Sequence, residues 1–534
     1  VNHKTTLKCF ALLTLAPLFA ADAPQITLKI HDYATMPLTG LVDGKGQNLG
    51  LLARINFLRE EPGGKKKRFF INDLNGPLYI LDKETKKLSV YLDFNGREGH
   101  TGIFHKFPYE NGFANGFIDF IFDPDYAHNG KFYTIHLEDP SLPGTTAPDH
   151  ANFPAFKTAG YSVTEPIATP GATQREAVLV EWTDTNPSNT TFEGTAREIL
   201  RVQHNTRIHP MGDFIFNPTA RRGDPDWRVM YIGSGDGGSG ESRDLSMRAN
   251  PQRLDTLVGK ILRIIPDLDE HKDSSIVSAN GRYRIPNDNP FIAKPGARPE
   301  IWAYGLRNPA RLSWDVDPAS RRNQLIADVI GLHTWETVVL VHKGANYGYS
   351  RREGNQVLEP NNKLSEIPTD DKIPVLTGDK ESGEMIAPTY PVIAYAHVKG
   401  GGDAVSSGYV YRGKAIPALR GKFIFGDIST GNIWYADYQE MLAVDDGNPR
   451  TMAEMHPIKI LWEKPGGGSE TYASMYAITE SAYHARGGKA AGLPGVATVS
   501  DGRSDIHLCI DAEGELYILS KSDGMVRVVV GATN

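Results

Sequence analysis

Cysteine is nearly absent: two occur in 534 residues, and one of them, Cys9, falls in a short apolar leader, leaving Cys509 alone in the remainder. No intramolecular disulfide can form there, and no C-x-x-C-H haem attachment exists. Flanked by Leu508 and Ile510, Cys509 reads as a buried, inert thiol rather than a nucleophile. Long apolar runs are lacking too. The stretch 10–19 is too short to span a bilayer and no later one is longer, so no membrane span is expected. A basic face is also missing. The formal net charge is -7 with 23% charged residues, which argues against nucleic acid as a partner. The one cationic run, Lys65-Lys66-Lys67-Arg68, reads as a solvated loop. Helical periodicity is scarce, its best stretches being 242–257 and 335–342.

What is present is glycine and proline, 54 and 35 residues, among many short apolar runs. That composition points to a turn-rich all-β protein. At the start, His3 and Lys4 precede the apolar stretch, and Ala20, Ala21 and Ala23 offer small-residue cleavage sites. Residues 1–23 are therefore expected to be an export signal, with a periplasmic or secreted destination. Residues 24–534 are expected to form one domain, since large β folds can use such lengths as a single unit.

One pattern recurs six times: an apolar strand, a turn with Asp, Asn, Pro or Gly, then a strand carrying Tyr, Phe or Trp. The copies begin at Arg68, Phe117, Asp213, Arg311, Lys422 and His507. Further strand-like runs lie between them, so the spacing predicts a six-bladed β-propeller with each hairpin supplying the inner strands of one blade. Strands from Ile26 and Gly524 would close the ring. Segments 139–174 and 353–391 read as long loop insertions, and loops on one propeller face are where sites are usually built.

The run WAYGLRNPARLSWD from Trp302 sets Arg307-Asn308 on a Pro-ended turn. A guanidinium fork with an amide beside it suits a flat, acidic ligand. In GSGDGG, Gly233, Gly235 and Gly238 satisfy G-x-G-x-x-G. The alternating strands and helices of a dinucleotide fold are missing around them, so they read as turn glycines that let backbone approach a ligand.

From about Gly40 to the C-terminus the chain resembles the soluble quinoprotein glucose and sorbosone dehydrogenases, which use pyrroloquinoline quinone (PQQ) on a six-bladed propeller. The resemblance rests on GFIDFIFDPDYAHNGKFY, HPMGDFIFNP, YIGSGDGGSG, GKILRI, IWAYGLRNP, NYGYSRREG, GYVYRG and DAEGELYIL, in family order. It implies that His209 is the general base removing the sugar C1 hydroxyl proton while hydride passes to the quinone, a role imidazole suits at neutral pH. Asp236 would fix and stabilise that imidazole. Arg307, Asn308 and Arg412 would bind PQQ, and the Gly331 and Leu332 carbonyls would hold a calcium ion that polarises the quinone. Thr337 carries no carboxylate for a second calcium beside Glu336 and Tyr347. Ala114, Thr430 and Asn432 stand where relatives often place Gln or Arg, which leaves the cofactor's charge to Arg307 and Arg412.

The function so implied is oxidation of an aldose to its lactone. A small sugar would be the substrate, and electrons would pass to an external acceptor such as a cytochrome or quinone. A metal-dependent sugar lactonase and a non-catalytic ligand-binding propeller are the alternatives.

Overall fold

The computed structural model describes residues 25–44, 50–63, 67–109, 114–317, 323–399 and 401–533. The expected export segment 1–23, Cys9, Lys65 and Lys66 lie outside the described residues.

Six strands stand around one axis: Ile55–Glu60, Phe117–Phe122, Met211–Phe216, Asn308–Val316, Val405–Val410 and Ile506–Ile510. Each touches the next, and the sixth returns to the first. Three further strands ladder outward from each, making a six-bladed β-propeller. Six apolar cores fill the gaps between neighbouring blades. Blades are thus buried on both faces, so inner strands such as FIDFIF carry nearly continuous apolar residues. Between the first two blades, Phe94 stacks on Phe117 at 4.0 Å, and each such fully buried ring contributes about 1.5–3 kcal/mol. Cys509 sits in the core between the last and first blades. Burial pushes its thiol up to about 11, in line with an inert role.

The ring closes as the sequence predicts. Thr27–Thr35 pairs antiparallel with Met525–Thr533 and becomes the outermost strand of the sixth blade. The closing strand also pairs in parallel with His456–Glu463, the outer strand of the fifth blade, joining the two blades into one nine-stranded sheet. Buried Arg527 ties the seam, reaching Asp523 at 2.6 Å and Asp32 at 3.1 Å.

Several local readings change. The hairpins at Arg68 and Lys422 are second and third strands of their blades; Ile55–Glu60 and Val405–Val410 take the inner places. Trp335–Leu340 is a strand, because its apolar residues face two inter-blade cores. The stretch 242–257 holds a single helical turn, Leu245–Arg248, whereas Tyr476–Ala485 is a helix. The 353–391 insertion is built of short strand ladders. Arg68 is buried, not solvated, because it opens a blade strand and forks onto Glu61.

Candidate functional site

Where the inner strands begin, a cavity of about 510 Å³ opens on the propeller axis. Five inner strands carry a β-bulge near their start. A bulge adds an unpaired residue and re-aims its side chain. Four such residues, Asn56, Ile118, Gly212 and Ala310, line the cavity.

His209 lies in the turn before the third inner strand, with φ of 52°, and its ring lines the cavity. Its Nδ1 is 2.7 Å from Asp236 Oδ1, which leaves Nε2 for the cavity. Burial alone would raise the Asp236 carboxyl, but His209, Arg307 and the Gly238 amide hold it below the ordinary carboxylate range. The Gly238 and Gly240 amides donate to its two oxygens at 2.8 and 2.9 Å. The glycines are packing requirements: a Cβ on Gly235 would sit 2.5 Å from the His209 carbonyl, and one on Gly240 2.3 Å from the Tyr349 ring. The Asp236 amide donates to the Arg307 carbonyl at 2.7 Å, linking the dyad to the Arg-Asn turn.

Arg307 and Asn308 both line the cavity and are over nine-tenths buried. The Arg307 guanidinium donates to the carbonyls of Ile330 and Gly331 and lies 3.6 Å from Glu241. Gly331, expected to offer its carbonyl to calcium, therefore already faces a cation, and it borders a small void behind the cavity rather than the cavity itself. Leu332 lines the cavity. Its loop is wound around Glu353 Oε1, which accepts the amides of residues 332 to 335. Glu336 is fully buried and engaged by His397, Val405 and Gly331. Calcium on Gly331 would require Arg307 to move away, so the residues as arranged do not fit that ion.

Arg412 is not brought to the cavity. It lies beyond the far end of its inner strand and forks onto Asp315 at 2.8 and 3.0 Å; Asp315 is buried and needs a counter-charge. Thr430 and Asn432 do not line the cavity either, serving instead to hold the turn around Asp427 and Gly401. Ala114 does line it, as a small apolar wall.

A cationic end that the motifs did not name faces the dyad. Arg311, Arg503 and Lys521 line it, with Asp505 and His507. His507 is fully buried between Arg311, 3.0 Å from Nδ1, and Lys521, 2.7 Å from Nε2. Burial and these two cations hold its pKa well below the ordinary range, so it is neutral. Lys521 is lowered by burial to about 8. A neutral imidazole accepts at one nitrogen only, so with Arg311 donating to Nδ1, Lys521 is seated to accept as a free amine, and in its charged form it faces Asp505 at 3.4 Å. Arg307 Nε and Arg311 Nε are buried without an acceptor among the described residues. Together these groups suit a planar polyanion the size of a small cofactor. Arg311 was findable, four residues beyond Arg307 and charged inside an inner strand. Arg503, Asp505 and Lys521 come from loops whose sequence carries no such sign.

Residues 67–467 match the Glucose / Sorbosone dehydrogenase family, and the chain belongs to it. Among curated relatives it is similar to the HIPL1 protein of Arabidopsis thaliana, 26% identical over 391 residues, 70% of this chain and 51% of that one. It also matches the aldose sugar dehydrogenase YliI of Escherichia coli, 35% identical over 104 residues, 20% of this chain and 23% of that one. The human Hedgehog-interacting protein is 25% identical over 289 residues, 54% of this chain and 33% of that one. The chain spans about half the length of the first of these relatives. Among solved structures, the PQQ-bound aldose sugar dehydrogenase of Streptomyces coelicolor has a TM-score of 0.48 at 15% identity, covering 96% of this chain and all of that one.

Proposed function

We propose that this protein is a PQQ-dependent dehydrogenase that oxidises an aldose at C1 to the lactone and passes the electrons to an external acceptor such as a cytochrome or quinone. The observation that carries this reading is a single cavity with an imidazole-carboxylate dyad at one side and a cluster of buried cations at the other. When bound, PQQ supplies the oxidant, a quinone able to take a hydride from a carbon that bears a hydroxyl.

The chain's own residues supply the rest. Arg307, Arg311, Arg503 and Lys521 would hold the cofactor's carboxylates, each charge-assisted bond being worth roughly 1.5–3 kcal/mol, with Asn308 beside them. Arg412 has no part in this set. His209 Nε2 takes the proton of the sugar hydroxyl as the carbon-hydrogen bond breaks. Asp236, kept ionised by His209, Arg307 and the Gly238 amide, fixes the tautomer with Nδ1-H toward itself and stabilises the imidazolium that forms.

The lactonase alternative needs several carboxylates converging on one metal in this cavity. Among the described residues the group of acids close enough to share an ion is Glu60, Asp511 and Glu513, none of which lines it. A partner-binding propeller without catalysis is the second reading, favoured by the similarity to the Hedgehog-interacting protein, whose name records a partner. One experiment separates these: purified protein is mixed with PQQ, with and without calcium, and assayed over a panel of aldoses with an artificial electron acceptor. Acceptor reduction that follows PQQ addition is expected. Neither a PQQ spectral change nor thermal stabilisation by PQQ would favour the partner-binding propeller.

A further inference from the structure

The cavity has a second imidazole that is held as His209 is held. His397, in the loop leading into the fifth inner strand, lines it, and its Nε2 lies 2.7 Å from Glu336 Oε1. Glu336 is fully buried. Its Oε1 also accepts the Gly331 amide at 3.1 Å, and its Oε2 accepts the Val405 amide at 2.7 Å. A carboxylate fixed by two amides accepts from the ring as well, so Nε2 carries the hydrogen and Nδ1 is left without a partner among the described residues. His209 is the mirror case, with Nδ1 on Asp236 and Nε2 left over.

The two rings are tied to opposite ends of Arg307. The Asp236 amide donates to the Arg307 carbonyl at 2.7 Å. The Arg307 guanidinium donates to the Gly331 carbonyl, and the Gly331 amide is bonded to Glu336. The reaction described above uses only the first imidazole.

The groups around His397 select what it can bind. Asp403, six residues on, also lines the cavity, close enough for its charge to bear on the ring. It accepts the Thr498 amide at 3.1 Å and the Thr498 hydroxyl, and Arg503, also in the lining, bears on it in turn. A carboxylate on a ligand can only accept, and would find Asp403 there. A hydroxyl both donates and accepts, so it can give its proton to Asp403 or to His397 Nδ1 and still take one from a neighbour.

We propose that His397 binds a hydroxyl of the sugar other than the one at C1, with Asp403 as a second contact and Glu336 as the residue that positions the ring. The proposal rests on the dehydrogenase reading and extends it: the substrate is a polyhydroxy aldose held at two points, by His209 at the reacting hydroxyl and by His397 at another.

The test crosses variants with substrates. KM, kcat and PQQ affinity are measured for full-length wild type, His397→Phe and His397→Gln on D-glucose, D-galactose, D-mannose and D-xylose, and then on monodeoxy analogues of the sugar turned over fastest. In wild type one analogue should show KM raised severalfold to about tenfold, as loss of a single hydrogen bond predicts. In His397→Phe the parent sugar should rise to that level and the same analogue should suffer no further penalty, the signature of a direct contact. Turnover and PQQ affinity should hold, and His397→Gln, which keeps a polar group, should recover part of the KM. Should His397→Phe fail to fold by circular dichroism, Asp403→Ala carries the same comparison. The proposal is overturned if the variant leaves the parent KM unchanged, if every analogue keeps its wild-type penalty, or if PQQ affinity falls instead. Wild type that binds no PQQ or oxidises no aldose overturns the dehydrogenase reading separately. The same sugars are then followed by saturation-transfer NMR, where binding weakened by His397→Phe supports the contact, and absent or unweakened binding overturns it.

Discussion

The two ends of the axis are built from the same six inner strands, and the cavities that open there differ in their lining. Asn56 and Arg59, Ile118 and Ile121, or His507 and Ile510 are three residues apart, about 10 Å along a strand. Buried Arg307, Arg311, Lys521, His209 and His507 line one end, whereas isoleucines and aromatic rings predominate at the other, beside Arg59, Asp123 and Arg221. Stability does not require this difference, because the apolar burial lies between the blades. Residues on the axis are therefore free to differ at its two ends, and chemistry can be grafted there without disturbing the fold.

Substitutions at the end that holds His209 should break that contrast most strongly. His209→Ala is expected to lower turnover by about 10²- to 10⁴-fold while PQQ still binds, as read by kcat at saturating cofactor beside a PQQ titration; unchanged turnover would remove His209 as the base. Next come the cations. Arg307→Ala and Arg311→Ala should each weaken PQQ by roughly 10- to 150-fold, from about 1.5–3 kcal/mol per charge-assisted bond. Arg412→Ala should leave PQQ affinity alone and lower stability by about 1–3 kcal/mol, since buried Asp315 loses its partner. A fall in PQQ affinity in that variant would return Arg412 to the site.

A smaller effect follows pH. With Lys521 lowered from 10.5 to about 8, the mouth loses a cation as pH rises through 8, so PQQ affinity should decline from pH 7 to 10 and Lys521→Met should flatten that decline. Stability should move the other way. Between these two values the unfolded chain binds the proton that the folded chain has released, so this lysine's contribution to stability rises with pH across the window. The pH dependence of thermal unfolding, wild type against Lys521→Met, checks the sign.

The smallest change is expected between the two ends. Buried Asp328 is pushed up by desolvation to about 8 and is mostly protonated at neutral pH. Asp328→Asn should then alter unfolding free energy by less than about 1 kcal/mol at pH 7, measured by denaturant titration. A loss of several kcal/mol would mean that the carboxylate form is needed there.

How far the site was legible follows from where its residues sit along the chain. His209, Asp236, Arg307 and Asn308 lie in turns beside glycine or proline, whose backbone demands leave a readable pattern, and the structure brings all four together. Arg412 occupies an equally readable turn but at the wrong end of its strand. Pattern alone cannot say which end a turn faces. Trp335–Leu340 likewise carries apolar residues that suit helix or strand, and only the two cores flanking it decide.

By itself the sequence determined the all-β class, the propeller repeat, the terminal strands that close the ring and the family motifs, because short apolar runs and Gly or Pro turns act locally. Tertiary structure alone decided which side chains meet on the axis. It placed Arg311, Arg503, His507 and Lys521 opposite His209, gave Arg307 to the Gly331 carbonyl, sent Arg412 to Asp315, and gathered the far ends of the six inner strands around a second cavity. The physical reason is that blades meet side by side around a ring: residues hundreds of positions apart become neighbours through packing that no local pattern encodes.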